Sequence, residues 1–441
     1  MGKRIVIVGG GSSGWSPKLL ADLLLTPSLA GCTYVLHDLN VANAERILRF
    51  AHKLQAELGV AAQIESDPHP ESALAGADFV LVTISTGGLN AMAHDLAIPE
   101  EYGVYHTVGD PVGPGGWART LRNIPVFMTL AERVNRLAPR AVILNYTNPM
   151  AQLTRTLARC TSQPVVGLCH GLFEDLEFFK GFFELSSEAE IECTYGGINH
   201  FFWITSFAIR GQEGYGWLHE KLNGRSLPEL IAHLHPGWYV ADELYRFTGL
   251  LTYLADRHIC EFLPKYITSP EAIEEYHLQR TTIQQRLDNL RRAEAAVEEM
   301  TNGEIPQSFK TRSRETAADI INAFVTGERF IDVGNLPNIG QVSNLPLGAV
   351  VETPVLVTAS GFRPITVGPL PEPARTWVEG HIRAQELTVE AGMKGDLELA
   401  VKALALDPLV AHLALPDIQT LGMRLLKANA AHLPQFAGKL G

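Results

Sequence analysis

RIVIVGGGSSGWSPKLLADLL, residues 4–24, decides the fold. Ile5 to Val8 form a β-branched run that reads as a buried strand, and the apolar-periodic stretch at its far end reads as a helix. Between them Gly9, Gly11 and Gly14 stand in G-x-G-x-x-G spacing, with Ser12 and Ser13 inside the loop. In a strand–turn–helix unit the first glycine permits a tight turn, the second lets backbone approach a pyrophosphate, and the third allows close helix packing. A second apolar strand, CTYVLHDLN at 32–40, ends in Asp38, where a carboxylate accepts hydrogen bonds from an adenosine ribose. That points to NAD, since Asp38 repels a 2′-phosphate and no arginine immediately follows it.

Working outward, the first half alternates helical stretches with three more buried-strand runs: DFVLVTIS (78–85), RAVILNYTNP (140–149) and QPVVGLC (163–169). An open parallel sheet gathers ligands outside the carboxyl ends of its strands. Thr83, Ser85, Asn145, Asn148 and Cys169 are therefore expected around one crevice, with Ser85 on the cofactor side. The stretch TVGDPVGPGGWARTLRN (107–123), carrying Asp110, Arg119 and Arg122, reads as a loop or helix start closing over substrate. After residue 190 the pattern turns β-rich, in TYGGINHFFWITSFAI, and long helical segments are expected at 225–265 and 270–300. The fold expected is α/β: a doubly wound parallel sheet over 1–193 and a C-terminal α+β domain over 194–441.

With 441 residues, two domains are the prior expectation. No apolar run approaches the roughly 18 residues of a membrane span, and the start MGKRIVIVGGG lacks the pattern of a signal peptide. The cytoplasm is expected, with no membrane partner. A net charge of −12 argues against nucleic acid, which requires a concentrated cationic face. The five cysteines are an odd number with no C-x-x-C pair, which suits a reducing compartment. Four read as small apolar fillers. Cys169, at a strand end facing the crevice, reads differently. YGGINHFFW places Asn199 and His200 between glycines and an aromatic run. Cys169 with His200 makes a site of one sulfur and one nitrogen, open to substrate hydroxyls and water. Such a site suits a weakly held divalent metal better than zinc, which in catalytic sites takes three protein ligands. No H-E-x-x-H, P-loop or G-x-S-x-G is present.

Taken together, VGGGSSGWSPKLL, GDPVGPGGWARTLRNIP, VILNYTNPM, GLCHG, GGINHFFW, NLPLGAVVETPVLV and GFRPITVGPLP resemble family 4 of the glycoside hydrolases nearly end to end. The resemblance implies a fold similar to lactate and malate dehydrogenases, with NAD and Mn²⁺ as cofactors. It implies that Cys169 and His200 hold the metal and that Asn148, Asn199 and Arg119 contact a small glycoside. The chemistry implied is a redox-neutral elimination. Hydride passes from the sugar's C3 to NAD⁺, a base removes the acidified C2 proton, the aglycone leaves C1, water adds and the hydride returns.

Members of the family acting on 6-phosphoglycosides carry Cys-Asn or Cys-Asp, whereas this chain has Cys169-His170-Gly171. That resembles the branch acting on unphosphorylated α-glycosides, α-glucuronidases in particular, so α-glucuronides or α-galacturonides are the expected substrates. His170 takes the place of a general acid. For the C2 base, YLADRHICEFLPKY offers Asp256 or His258, with Tyr253 and Tyr266 nearby. Asp110 matches a carboxylate that assists the base, and Trp117 is placed to narrow the aglycone pocket. A homo-oligomer, dimer or tetramer, is expected. The alternatives are an α-galactosidase or α-glucosidase of the same family, or an NAD-dependent 2-hydroxy acid dehydrogenase, whose mark would be a catalytic His with an Asp-x-x-Arg partner and no metal thiolate.

Overall fold

A computed structural model describes residues 2–231 and 237–440. Six strands of the first half form the parallel part of the sheet: β1 (Arg4–Val8), β2 (Thr33–His37), β3 (Gln63–Ser66), β4 (Phe79–Val82), β5 (Val142–Asn145) and β6 (Val165–Gly167). The second part comprises β7 (Ile191–Ile198), β8 (Phe201–Ile209), β9 (Gln212–Glu213), β10 (Phe330–Pro337), β11 (Val350–Thr358) and β12 (Gly361–Pro364). The order is β3-β2-β1-β4-β5-β6-β10-β11-β7-β8-β9, with β12 beside β11. Pairing is parallel from β3 to β6 and antiparallel beyond it. The parallel part is the doubly wound arrangement expected from residues 4–24.

Buried β-branched runs explain the parallel strands: Ile5, Val6 and Ile7 are wholly inaccessible, with helices on both faces. Local signals set the helix ends. Asn40 caps the helix Val41–Leu58 by accepting from the Asn43 N–H, and Gly59 at φ +65° ends it.

The expected division at residue 193 falls inside β7, beside a register shift in its pairing with β8 between Thr194 and Tyr195. Val297, Met300, Ala317, Ile320 and Ile321 pack into the same core as Ile5, Leu20 and Phe50. Two helices of the second half, Ile283–Asn302 and Ala317–Thr326, thus cover a face of the parallel sheet. The helical expectation for 225–265 resolves into short helices, Leu227–Ile231, Tyr239–Thr248 and Asp256–Ile259, and part of it, 232–236, lies outside the described residues. Gly249, in the left-handed region at φ +74°, stops the middle one.

Candidate active site

At the nucleotide end, Gly9 sits at φ +93°, and a Cβ there would lie 2.5 Å from the Thr83 carbonyl oxygen. The Gly11 N–H donates to Asp38 Oδ2 at 3.0 Å, and Asn40 N–H donates to Asp38 Oδ1 at 2.8 Å. Asp38 therefore stands at the carboxyl end of β2, directly against the glycine loop. The third glycine differs from its expected role: a Cβ on Gly14 would meet nothing within 4 Å. Gly10 carries the close packing instead, since its Cβ would lie 2.8 Å from Leu36 Cα. Ser13 Oγ is buried without a partner, and the helix Ser16–Leu24 has no acidic residue in its first turn. An unpaired hydroxyl beside uncapped helix N–H groups suits a pyrophosphate, so the loop fits a dinucleotide.

Cys169 lies just past β6, half-buried, with the Gly171 N–H and the Asn199 amide reaching its sulfur. Burial, and then the Glu352 carboxyl, raise its thiol above the usual range. His200 sits in the turn between β7 and β8 at φ +64°, a conformation costly for a residue with a Cβ. Burial lowers its pKa to about 4, and its Nδ1 is buried without a partner. A neutral imidazole with an open lone pair, next in sequence to the Asn199 whose amide reaches the Cys169 thiol, offers donors suited to a soft-to-borderline divalent cation. Among the described residues no three His, Cys, Asp or Glu side chains gather into a metal cage.

Beside His200 stands His258, with ring centroids 4.6 Å apart, and burial pushes the His258 pKa well below its ordinary value. Tyr253 stacks on His200 at 5.8 Å, while its hydroxyl donates to Glu174 Oε2 at 3.2 Å. Asp256, expected as an alternative base, has another task. Its oxygens accept from the Val240 and Ala241 N–H groups at 3.1 and 3.0 Å, which caps the helix Tyr239–Thr248. Tyr266 is fully buried against Tyr276, away from the histidines.

The loop bearing Asp110 is tied down by Glu261, which the sequence reading missed. Glu261 is wholly inaccessible; its Oε1 accepts from the Val108 and Gly109 N–H groups at 2.7 and 2.9 Å and lies 3.3 Å from His106 Nδ1. Burial raises the Asp110 pKa, while the charges of Arg119, Arg286 and Arg257 oppose that rise. Arg119 Nε donates to the Asn148 carbonyl at 3.0 Å, so these two expected substrate residues do meet. Arg122 does not join them, being locked in a buried ion pair with Asp95 at 2.6 Å. Asn145 also turns inward, donating to Thr154 Oγ1 at 3.1 Å and accepting from Thr147 N–H at 3.0 Å. Trp117 is buried on the C-terminal helices and donates to the Ala400 carbonyl at 2.9 Å, so it does not shape an aglycone pocket. Ser85 is exposed in the turn after β4, and His170 is half-exposed with Nδ1 3.5 Å from Glu315 Oε1.

Glu352, on β11, is the other residue not foreseen. It is wholly inaccessible, and its Oε2 accepts from Asn199 and Asn335 amides at 2.9 and 2.7 Å. Burial raises its pKa to about 7. Through Asn199 it orients the residue that adjoins His200 and touches Cys169.

This architecture is a Rossmann-type sheet whose strand ends carry a cysteine–histidine pair, and the relatives agree with that class. The family 4 glycosyl hydrolase model matches residues 4–178, and the model of the family 4 glycosyl hydrolase C-terminal domain matches residues 195–410. The chain belongs to family 4 of the glycosyl hydrolases, which sets aside the dehydrogenase alternative. It is 31% identical over 450 residues to an α-galacturonidase of Thermoanaerobacterium saccharolyticum, covering 97% of this chain and 96% of that protein. A presumed glucosidase from Bacillus subtilis superposes with a TM-score of 0.87 at 29% identity, over 97% of this chain and 100% of that one. The 6-phospho-β-glucosidase of Thermotoga maritima, solved with manganese, NAD⁺ and glucose-6-phosphate, shares the fold with a TM-score of 0.81 at 22% identity, over 98% and 99%. No described helix is long and apolar enough to cross a membrane.

Proposed function

We propose that this glycosidase is an NAD- and divalent-metal-dependent α-glycosidase that hydrolyses α-uronides, α-galacturonides above all. The observation that carries the reading is the pair of neutral imidazoles His200 and His258, 4.6 Å apart and both packed on Tyr253, a ring that also feels the Cys169 charge. One imidazole serves as a metal ligand and the other as a proton acceptor. The full-length likeness to an α-galacturonidase supports the substrate class, as do the arginines around Asp110.

Cys169 and His200 are assigned to the metal, Mn²⁺, and Gly9, Gly11, Ser12, Ser13, Gly14, Asp38 and Ser85 to NAD. When bound, NAD supplies a hydride acceptor and Mn²⁺ a Lewis acid for the C2 and C3 oxygens, which together make the C2 proton removable. His258 takes that proton: burial keeps its ring neutral, so a lone pair is available at neutral pH. Asp110 assists on the same side. His170 protonates the glycosidic oxygen as the C1–O bond breaks, with Glu315 orienting its ring. Asn148, Asn199 and Arg119 hold the sugar hydroxyls, and water then adds across C1 and C2.

Product formed in D₂O from an α-galacturonide tests this directly. Deuterium at C2 with no net NADH is the expected result. Retention of the original C2 hydrogen, as in glycosidases that use two carboxylates, would overturn the elimination.

A further inference from the structure

Beside the helix that carries His258 lies an open polar pocket of about 420 Å³, lined largely by exposed side chains. Three arginines, Arg257, Arg280 and Arg292, line it together with the side-chain amides of Gln279, Gln285 and Asn289. No Asp or Glu lines it, although the chain carries a net charge of −12. Arg257 and Arg292 are held by neutral groups: Arg257 donates to Thr281 Oγ1 and Arg292 to Asn289 Oδ1, each at 2.5 Å. Arg280 alone has a carboxylate partner, Glu100.

The cavity adjoins the reacting groups through two connections. Arg257 shares the four-residue helix Asp256–Ile259 with His258, so the cavity begins one residue from the proposed base. The opposite wall hangs from the loop that presents Asp110: Arg280 Nε donates to the His106 carbonyl at 3.1 Å, and Thr281 N–H to the Thr107 carbonyl at 3.0 Å.

We propose that this cavity is an aglycone subsite for an acidic sugar, binding the second uronic acid of a diuronide whose first residue occupies the cleft. Guanidinium forks match a carboxylate in two parallel hydrogen bonds, and neutral amides suit the hydroxyls of the same ring. With no carboxylate in the lining itself, a uronate meets attraction from Arg257 and Arg292, while Glu100 offsets the charge of Arg280. The inference rests on the α-uronidase reading for the sugar in the cleft.

Holoenzyme kinetics provide the test. Digalacturonate is expected to show a kcat/KM about tenfold above that of the same disaccharide methyl-esterified on its second ring. Arg292→Gln is expected to erase that preference while leaving p-nitrophenyl α-galacturonide turnover within twofold of wild type. Equal kcat/KM for acid and ester, or a loss shared by all three substrates in the variant, overturns the subsite. If no α-uronide is cleaved, the proposed function fails, and calorimetric binding of digalacturonate and its ester decides the subsite separately. There, a tenfold preference abolished by Arg292→Gln supports it. An absence of preference overturns it, as does Arg292-dependent binding of inorganic phosphate without any preference for the acid.

Discussion

The parallel and antiparallel parts of the sheet treat buried polar atoms differently. In the parallel part, polar side chains at strand ends are mostly consumed by the backbone. Asp38 accepts from Gly11 and Asn40, and Asn145 braces its own turn. In the antiparallel part and the segment packed on it, His200 Nδ1, His258 Nδ1, Asn199 Oδ1 and Glu352 Oε1 are buried without partners. A buried unpaired polar atom costs roughly 1–3 kcal/mol, so four close together form a costly arrangement that a ligand would relieve. One part builds a scaffold and the other stores unspent lone pairs. Partnerless buried atoms occur in the first half too, Tyr146 OH and Gln163 Oε1 among them, and two of them, Ser13 and Ser16 Oγ, lie at the glycine loop, where a second ligand is expected.

The sharpest way to break this contrast is to remove Cys169, the parallel part's share of the proposed metal pair with His200. Cys169→Ser is expected to lower turnover at least a thousandfold, while calorimetry finds NAD affinity unchanged, because the loop at Gly9 to Gly14 is not part of the metal pair. Full activity in a chelator-treated enzyme would defeat the metal assignment. His258→Gln comes next, with a kcat loss of about 10²–10⁴-fold, the range for a positioned base, and loss of C2 exchange in D₂O. Its neighbour separates chemistry from scaffold: Asp256→Asn is expected to lower stability by about 1 kcal/mol, as for a lost helix cap, and to keep C2 exchange. An Asp256→Asn enzyme that folds with wild-type Tm but has lost exchange would reverse the two assignments.

In the parallel part, Asp38→Ala is expected to weaken NAD binding about tenfold and to narrow the preference over NADP, as read by binding titration. Unchanged NAD affinity would mean that the ribose lies elsewhere. The smallest effect concerns Asp332 on β10, whose pKa burial raises to about 7. A carboxyl raised on folding favours the native state while protonated, and that contribution fades as pH climbs from its unfolded value near 4 through 7. Asp332→Asn is therefore expected to raise Tm at pH 8 relative to wild type and to change it little at pH 4. An equal shift at both pH values would contradict the cause.

How much was legible follows from the range of each interaction. The strand runs, the glycine spacing and Asp38 are local patterns: hydrophobic period, turn chemistry and strand-end position lie within a few residues of one another. Cys169 and His200 could be singled out because each stands at the end of an apolar run. Asp256 and His258 could not be told apart, since they lie two positions apart on a four-residue helix and only packing decides which meets His200 and which caps Tyr239–Thr248. Glu352 and Glu261 were invisible for a related reason. A single acid inside an apolar stretch carries no local signal of the amides and N–H groups that receive it from about 150 residues away.

The sequence by itself determined the parallel sheet, the glycine-rich turn after its first strand and the standing of Cys169 and His200 as candidate ligands, because each arises from residue types that restrict backbone or donor chemistry at their own position. Only the tertiary structure decided that Gly10 rather than Gly14 packs closely, that Arg122 is spent on Asp95 while Arg119 reaches Asn148, and that helices beyond residue 280 close the first core. Those outcomes depend on which side chains meet after the sheet is assembled, and burial, by stripping water from each group, then sets the charge that group can keep.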